Sequence, residues 1–74
     1  TVYPNPATDN IQIDLSSLKN EEIKIELFDV SGKQLLESNT RLSLYTTTLN
    51  YNPGVYFLKI SSGSYSTIKK VIIQ

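Results

Sequence analysis

The sequence contains no cysteine, histidine, tryptophan or methionine. Without cysteine the chain cannot form disulfides or thiolate zinc sites, and without histidine it lacks the commonest general base and metal ligand. Apolar runs such as residues 71–73 are far shorter than the roughly 20 residues of a membrane helix. Seven basic residues balance seven acidic ones, whereas a nucleic-acid binder needs a basic surface. We therefore expect neither membrane insertion nor a nucleic-acid partner.

The length of the chain limits it to one small domain. At 74 residues, folding buries only about 60% of the surface that the unfolded chain exposes, which predicts modest stability. The first residue is Thr1 and no signal-peptide pattern follows it, so we expect residues 1–74 to be a single domain cut from a longer secreted protein. The absence of cysteine permits a location outside the cytoplasm.

Apolar residues recur at every second position, which is the periodicity of a half-buried strand. The first two runs of this kind are Ile11, Ile13, Leu15 and Ile23, Ile25, Leu27. Further strands are predicted over 34–38, 42–49, 55–60 and 65–73. Because residues 55–60 are apolar on both faces, we place that strand in the middle of a sheet. Residues 16–22 predict a polar loop.

Turn residues separate the predicted strands. Gly-containing segments at 31–32 and 61–64 predict hairpin connections. In the segment 52–54, Pro53 suits the second position of a type II turn and Gly54 suits the third. Six or seven short strands at this spacing, with no convincing helix, predict an all-β sandwich.

No catalytic constellation is recognisable. Serine and threonine residues are plentiful, but none has a histidine partner and no G-x-S-x-G elbow occurs. Asp14 and Glu26 lie on the polar faces of their strands, where exposure to solvent explains them better than a catalytic pair. The three glycines are far apart, and each explains a turn and not a phosphate cradle. We predict that the chain is not an enzyme and uses no cofactor.

Calcium binding through loop oxygens is a weaker alternative, with Asp9, Asp14 and Asp29 as candidate ligands. None of the three lies in a dense run of Asp, Asn and Gly, so we predict no metal site.

Four of the five tyrosines suggest a second alternative, an aromatic platform for a sugar. They are Tyr45, Tyr51, Tyr56 and Tyr65. Tyrosines in strands more often pack against their cross-strand neighbours, and we favour that interpretation. A retained accessory module for carbohydrate binding or adhesion is therefore the alternative function.

Four segments together carry a resemblance to a known family. They are VYPNPA at 2–7, LFDVSGK at 27–33, NPGVYFLKI at 52–60 and KKVIIQ at 69–74. In this order they resemble the C-terminal sorting domain of the type IX secretion system, the type A class found on many secreted proteins of Bacteroidota. The resemblance spans essentially the whole chain.

This resemblance implies an immunoglobulin-like β-sandwich that serves as a non-catalytic address label. It implies an N-terminal cargo domain in the same chain, which reaches the periplasm first. An outer-membrane translocon then recognises the label, and a sortase-like peptidase commonly removes it. The cargo is released or attached to anionic lipopolysaccharide, so the implied destination is the cell surface or the extracellular space.

The resemblance also assigns candidate site residues, in two groups. The family motif residues, for which a structural role is an open alternative, are Tyr3, Pro4, Asn5, Pro6, Gly32, Pro53, Gly54, Tyr56, Leu58 and Ile60. The terminal motif comprises Lys69, Lys70, Val71, Ile72, Ile73 and Gln74. The terminal motif is our hypothesis for translocon recognition, because an edge strand or chain end is accessible to a partner.

Edge strands lead to two further expectations. Pro4 and Pro6 cannot donate ladder hydrogen bonds, so we expect an edge strand or an entering linker there. An open edge also favours strand pairing between copies, so we expect a homodimer through the first or last strand.

Overall fold

The structure is a computed structural model that describes residues 2–3, 9–18 and 21–74. The described residues form seven strands and one short 3-10 turn, which confirms the all-β prediction. The strands are β1 Val2–Tyr3, β2 Asn10–Asp14, β3 Ile23–Phe28, β4 Gln34–Thr40, β5 Leu44–Thr48, β6 Gly54–Ser62 and β7 Tyr65–Ile73. The 3-10 turn is Ser16–Leu18.

The strands form two antiparallel sheets. One sheet has the order β1-β2-β5 and the other has the order β4-β3-β6-β7. The chain crosses between the sheets after β2, β4 and β5, which is the pattern of an immunoglobulin-like sandwich. The strand predicted to lie inside a sheet is β6, and it does lie between β3 and β7.

Alternation along the strands produces the core between the two sheets. Along β2, β3, β6 and β7, alternate side chains turn inward, and the apolar residues at those positions become buried, as do Leu15 and Leu49 directly after β2 and β5. The buried set is Ile11, Ile13, Leu15, Ile23, Ile25, Leu27, Leu49, Tyr56, Leu58, Ile60, Val71 and Ile73. Burying a side chain of this size contributes roughly 1.5–3 kcal/mol, so these residues supply most of the driving force for folding.

Both predicted hairpins are present. Between β3 and β4, one carboxylate oxygen of Asp29 accepts hydrogen bonds from the Ser31 and Lys33 N–H groups at 2.9 and 3.0 Å. It also accepts one from the Ser31 hydroxyl at 2.6 Å, and these donors lower the pKa of Asp29. Between β6 and β7, Gly63 has a φ of 58° in a two-residue loop, where an L side chain would be strained.

The prediction of a type II turn at 52–54 is wrong. Gly54 has a φ of 155°, far from the roughly +80° of that turn, and it pairs with Ile73 as the first residue of β6. Ladder pairing with β7 therefore draws Gly54 into the strand, and the chain bends at Pro53 instead.

The polar loop predicted over 16–22 contains the 3-10 turn. A carboxylate oxygen of Asp14 accepts a hydrogen bond from the Ser16 N–H at 3.0 Å, and this bond lowers the pKa of Asp14. The proline-flanked segment at the start of the chain, with Pro4, Asn5 and Pro6, lies outside the described residues.

Candidate interaction surface

The terminal motif is divided between the two faces of β7. Val71 and Ile73 are 0% and 2% exposed and belong to the core, so neither can touch a partner while the domain is folded. Ile72 points to the outer face and is 37% exposed. The side chains of Lys69 and Lys70 are exposed as well. The motif is therefore linear in sequence but alternates between core and surface in space.

The preceding motif on β6 is a core element. Tyr56, Leu58 and Ile60 share the inner face of β6 and are all buried. The Tyr56 hydroxyl donates a hydrogen bond of 2.6 Å to the carbonyl oxygen of Asn52, which ties the bend before β6 to the strand. These positions therefore hold the fold together, as their shared strand face indicated.

The tyrosines do not form a shared platform. Tyr51 and Tyr56 are neighbours, with ring centroids 5.9 Å apart, and Tyr45 and Tyr51 pack against the core. Tyr65 is exposed at the β6–β7 hairpin. The packing interpretation therefore fits Tyr45, Tyr51 and Tyr56, and a sugar platform built from all four tyrosines is wrong.

The outer face of the four-stranded sheet carries exposed apolar side chains. On β6 and β7 the outward positions pair as Val55 with Ile72, Phe57 with Lys70, and Lys59 with Ile68. We call these six residues the β6–β7 outer face. Val55, Ile72 and Ile68 are 37%, 37% and 62% exposed, and Phe28 on β3 continues the surface beside Phe57. Cross-strand partners on one face lie about 5 Å apart, so the surface is continuous.

The other half of the same sheet face carries compensated charges. The Lys24 ammonium lies 3.4 Å from a Glu37 carboxylate oxygen and 3.9 Å from one of Glu26. The Gln34 amide donates to Glu37 at 2.9 Å, and this bond, followed by Lys24, lowers the pKa of Glu37.

Charge is strongly segregated along the chain, a signal that composition alone conceals. All seven carboxylate side chains lie in residues 1–37, together with three lysines. Residues 38–74 carry four basic residues and no acidic one: Arg41, Lys59, Lys69 and Lys70. The neutral total therefore hides a basic half that contains the whole of β6 and β7.

The carboxylates weighed in the sequence analysis as a catalytic pair or as metal ligands are not brought together among the described residues. Asp14 and Glu26 face outward on opposite sheets of the sandwich, so they cannot act as a pair. No group of three acidic residues in 2–3, 9–18 and 21–74 is placed to hold a metal ion. No helix in that part of the chain is long and apolar enough to cross a membrane.

A shallow polar depression of about 290 Å³ lies at the end of the four-stranded sheet where the hairpin joins β6 to β7. Its lining is Glu22, Lys24, Asn39, Ser61, Ser62 and Gly63. The Ser62 hydroxyl donates to the Glu22 carbonyl oxygen at 3.0 Å, so part of the lining is already committed to joining β6 to the chain entering β3.

One family model, described as the secretion system C-terminal sorting domain, matches residues 1–74. The chain belongs to this family. The match covers the whole sequence and confirms the resemblance to type IX secretion sorting domains. No curated protein matches the chain.

Membership of this family indicates what the domain interacts with and where it directs the protein. A type IX sorting domain interacts with the secretion machinery and directs export across the outer membrane to the cell surface or extracellular space. The sorting domain described above therefore needs a surface that this machinery can read. The exposed positions of β6 and β7 are candidates, whereas the buried members of both motifs are not.

Proposed function

We propose that this sorting domain is a non-catalytic label that acts through protein–protein recognition. The outer-membrane translocon of the type IX system recognises the folded domain as it passes through the periplasm. The translocon then carries the cargo, which precedes the domain in the same chain, to the cell surface or medium. A sortase-like peptidase removes the domain after export. The family match over residues 1–74 carries this proposal.

The test is an export assay in a bacterium that has the type IX system. A periplasm-directed fluorescent reporter carries residues 1–74 at its C-terminus, and fluorescence is measured at the surface and in the medium. We expect export in the parent strain and periplasmic retention in a translocon-deficient strain. Retention in the parent strain, with the domain folded and intact, contradicts the proposal.

Removal of the label is tested on the exported reporter. Mass spectrometry should find the reporter without peptides from residues 1–74. Exported reporter that keeps the domain would refute the peptidase step and leave the export step standing.

The recognition residues need variants that preserve the fold. Deleting residues 69–74 removes the buried Val71 and Ile73, so a loss of export would not separate recognition from unfolding. The double variant Lys69→Ala with Lys70→Ala changes exposed side chains, and we expect it to reduce export.

A matched control removes two exposed positive charges elsewhere. Lys33→Ala with Arg41→Ala leaves β7 unchanged, and we expect normal export from it. Equal export from both double variants would show that the lysines of β7 have no specific role.

Self-association through an edge strand stays a prediction. β1 and β7 lie at the ends of their sheets in the described strand orders. Sedimentation velocity over a wide concentration range tests it, and a monomer at every concentration would contradict it.

A further inference from the structure

We infer that the β6–β7 outer face is the docking surface for an acidic, partly apolar protein partner. This inference rests on the proposed function, because the partner it describes is the component of the secretion machinery that reads the label. It differs from the terminal-motif hypothesis, since it assigns recognition to a face formed by two strands and not to six consecutive residues.

The first observation in support of this inference is that β6 has apolar side chains on both of its faces. Its inner face is filled by Tyr56, Leu58 and Ile60, so the core already accounts for one set of apolar side chains. Its outer face nevertheless presents Val55 and Phe57, which lie on the side of the sheet away from the other layer. A two-layer sandwich needs no apolar residues on that side, and a contiguous exposed apolar surface commonly marks an interaction site.

β7 extends this surface with side chains that are more exposed. Ile68 is 62% exposed and lies opposite Lys59, and Ile72 lies opposite Val55. Aliphatic residues thus alternate with lysines across the two strands. This mixture suits a partner that presents apolar side chains among carboxylates.

The charge distribution defines the chemistry of the partner. The β6–β7 outer face carries Lys59 and Lys70 and no acidic side chain, whereas Glu26 and Glu37 lie on β3 and β4 beside Lys24, with Glu26 also opposite Lys59. A partner with acidic groups would therefore gain from complementarity at the β6–β7 end and meet repulsion at the other. This asymmetry favours docking toward β7, because Glu26 lies opposite Lys59 on the β3 side of the surface.

An anionic membrane surface fits the same face less well. Lipid-binding basic segments commonly carry clusters of about four to eight cationic residues. This face has only two lysines, since Lys69 lies opposite the buried Leu58 on the other face of β7, and Val55 and Ile72 are only 37% exposed.

Substitutions of Ile68 test the inference in the same export assay. Ile68→Glu places a negative charge in the basic face, and Ile68→Lys keeps the charge positive while removing the apolar contact. Leu44→Glu is the matched control, because Leu44 is an aliphatic residue, 45% exposed, on the edge strand of the other sheet. Circular dichroism of each variant checks that the domain is folded.

We expect both Ile68 variants to lower export at least about tenfold, the factor expected for losing one well-buried aliphatic contact. Leu44→Glu should export normally. Normal export from both Ile68 variants, or an equal loss from Leu44→Glu, overturns the inference.

Two further outcomes are diagnostic. The first combines two results: Ile68→Lys is exported normally while Ile68→Glu is not, and the domain binds anionic but not neutral phospholipid vesicles. This outcome identifies a lipid surface as the partner and overturns the assignment of a protein partner. If the unaltered fusion is not exported at all, the proposed function itself fails, which separates that failure from a failure of the surface assignment.

Discussion

Replacing Val71 and Ile68 by alanine should have very different effects on stability, although both residues are aliphatic and lie on the same strand. Val71 is 0% exposed in the core, whereas Ile68 is 62% exposed on the outer face. Val71→Ala deletes two buried methyl groups. The lost transfer free energy of about 0.8 kcal/mol per group, with a cavity contribution, gives a destabilisation of roughly 2–3 kcal/mol.

The effect of Ile68→Ala should be much smaller. Little apolar area is returned to water, and the loss of a β-branched side chain from a strand costs less than about 1 kcal/mol. A domain of this length has a total stability of roughly 4–11 kcal/mol, so the Val71 variant loses a large part of it.

Thermal unfolding followed by circular dichroism measures the difference. At about 4–8 °C per kcal/mol, Val71→Ala should lower Tm by roughly 10–20 °C, and Ile68→Ala should lower it by only a few degrees. Equal midpoints for the two variants would refute the assignment of alternate β7 residues to core and surface.

Val71→Ala and Ile68→Glu should lose export for two different reasons, the first through unfolding and the second through an altered surface. Val71→Ala should recover export when cells are grown at lower temperature, because the folded fraction recovers. Ile68→Glu should not recover, because its fold is intact and its surface is altered. Recovery of both variants would assign Ile68 to the fold and not to recognition.

Three smaller predictions concern the fold. Tyr56→Phe removes the 2.6 Å hydrogen bond to the Asn52 carbonyl and should cost about 1 kcal/mol in urea unfolding; an unchanged midpoint would show that water replaces the hydroxyl. Gly63→Ala forces alanine to a φ of 58° and should cost about 1–2 kcal/mol, so a stabilised variant would contradict the turn assignment. The pKa values of Asp29 and Glu37 are lowered in the folded state, so their contribution is present above the unfolded pKa and is lost as pH falls through the folded one. Urea midpoints should therefore be flat at neutral pH and fall below about pH 4, less steeply for Asp29→Asn.

Local pattern was sufficient to predict most of the sandwich. The spacing of Ile23, Ile25 and Leu27 predicted β3 because only a strand places every second residue on one side. The prediction of a type II turn at Gly54 was wrong because it considered only the neighbouring residues. The conformation of Gly54 depends instead on pairing with Ile73, which lies almost twenty residues away in the sequence.

The sequence predicts that Val71 and Ile73 lie on one face of the last strand and Ile72 on the other, which the structure confirms, but it does not predict which of the two faces is buried. Val71 and Ile72 are adjacent and both apolar, and only the register with β6 determines which one enters the core. A signal for the outer face was nevertheless present in residues 55–60, which are apolar on both faces. In a sandwich of two layers each sheet has one covered side, so a strand that is apolar on both sides must expose part of its apolar surface.

Recognition through the β6–β7 outer face would make export depend on folding. In an unfolded chain Val71 and Ile73 are as accessible as Ile72, and no surface distinguishes them. In the folded domain Val71 and Ile73 are buried, and register brings Val55 and Ile72 together. A partner that binds Val55 and Ile72 together therefore recognises the folded sandwich, and it would not bind the last strand as an unfolded peptide. The buried half of the terminal motif then contributes to sorting by holding the exposed half in position.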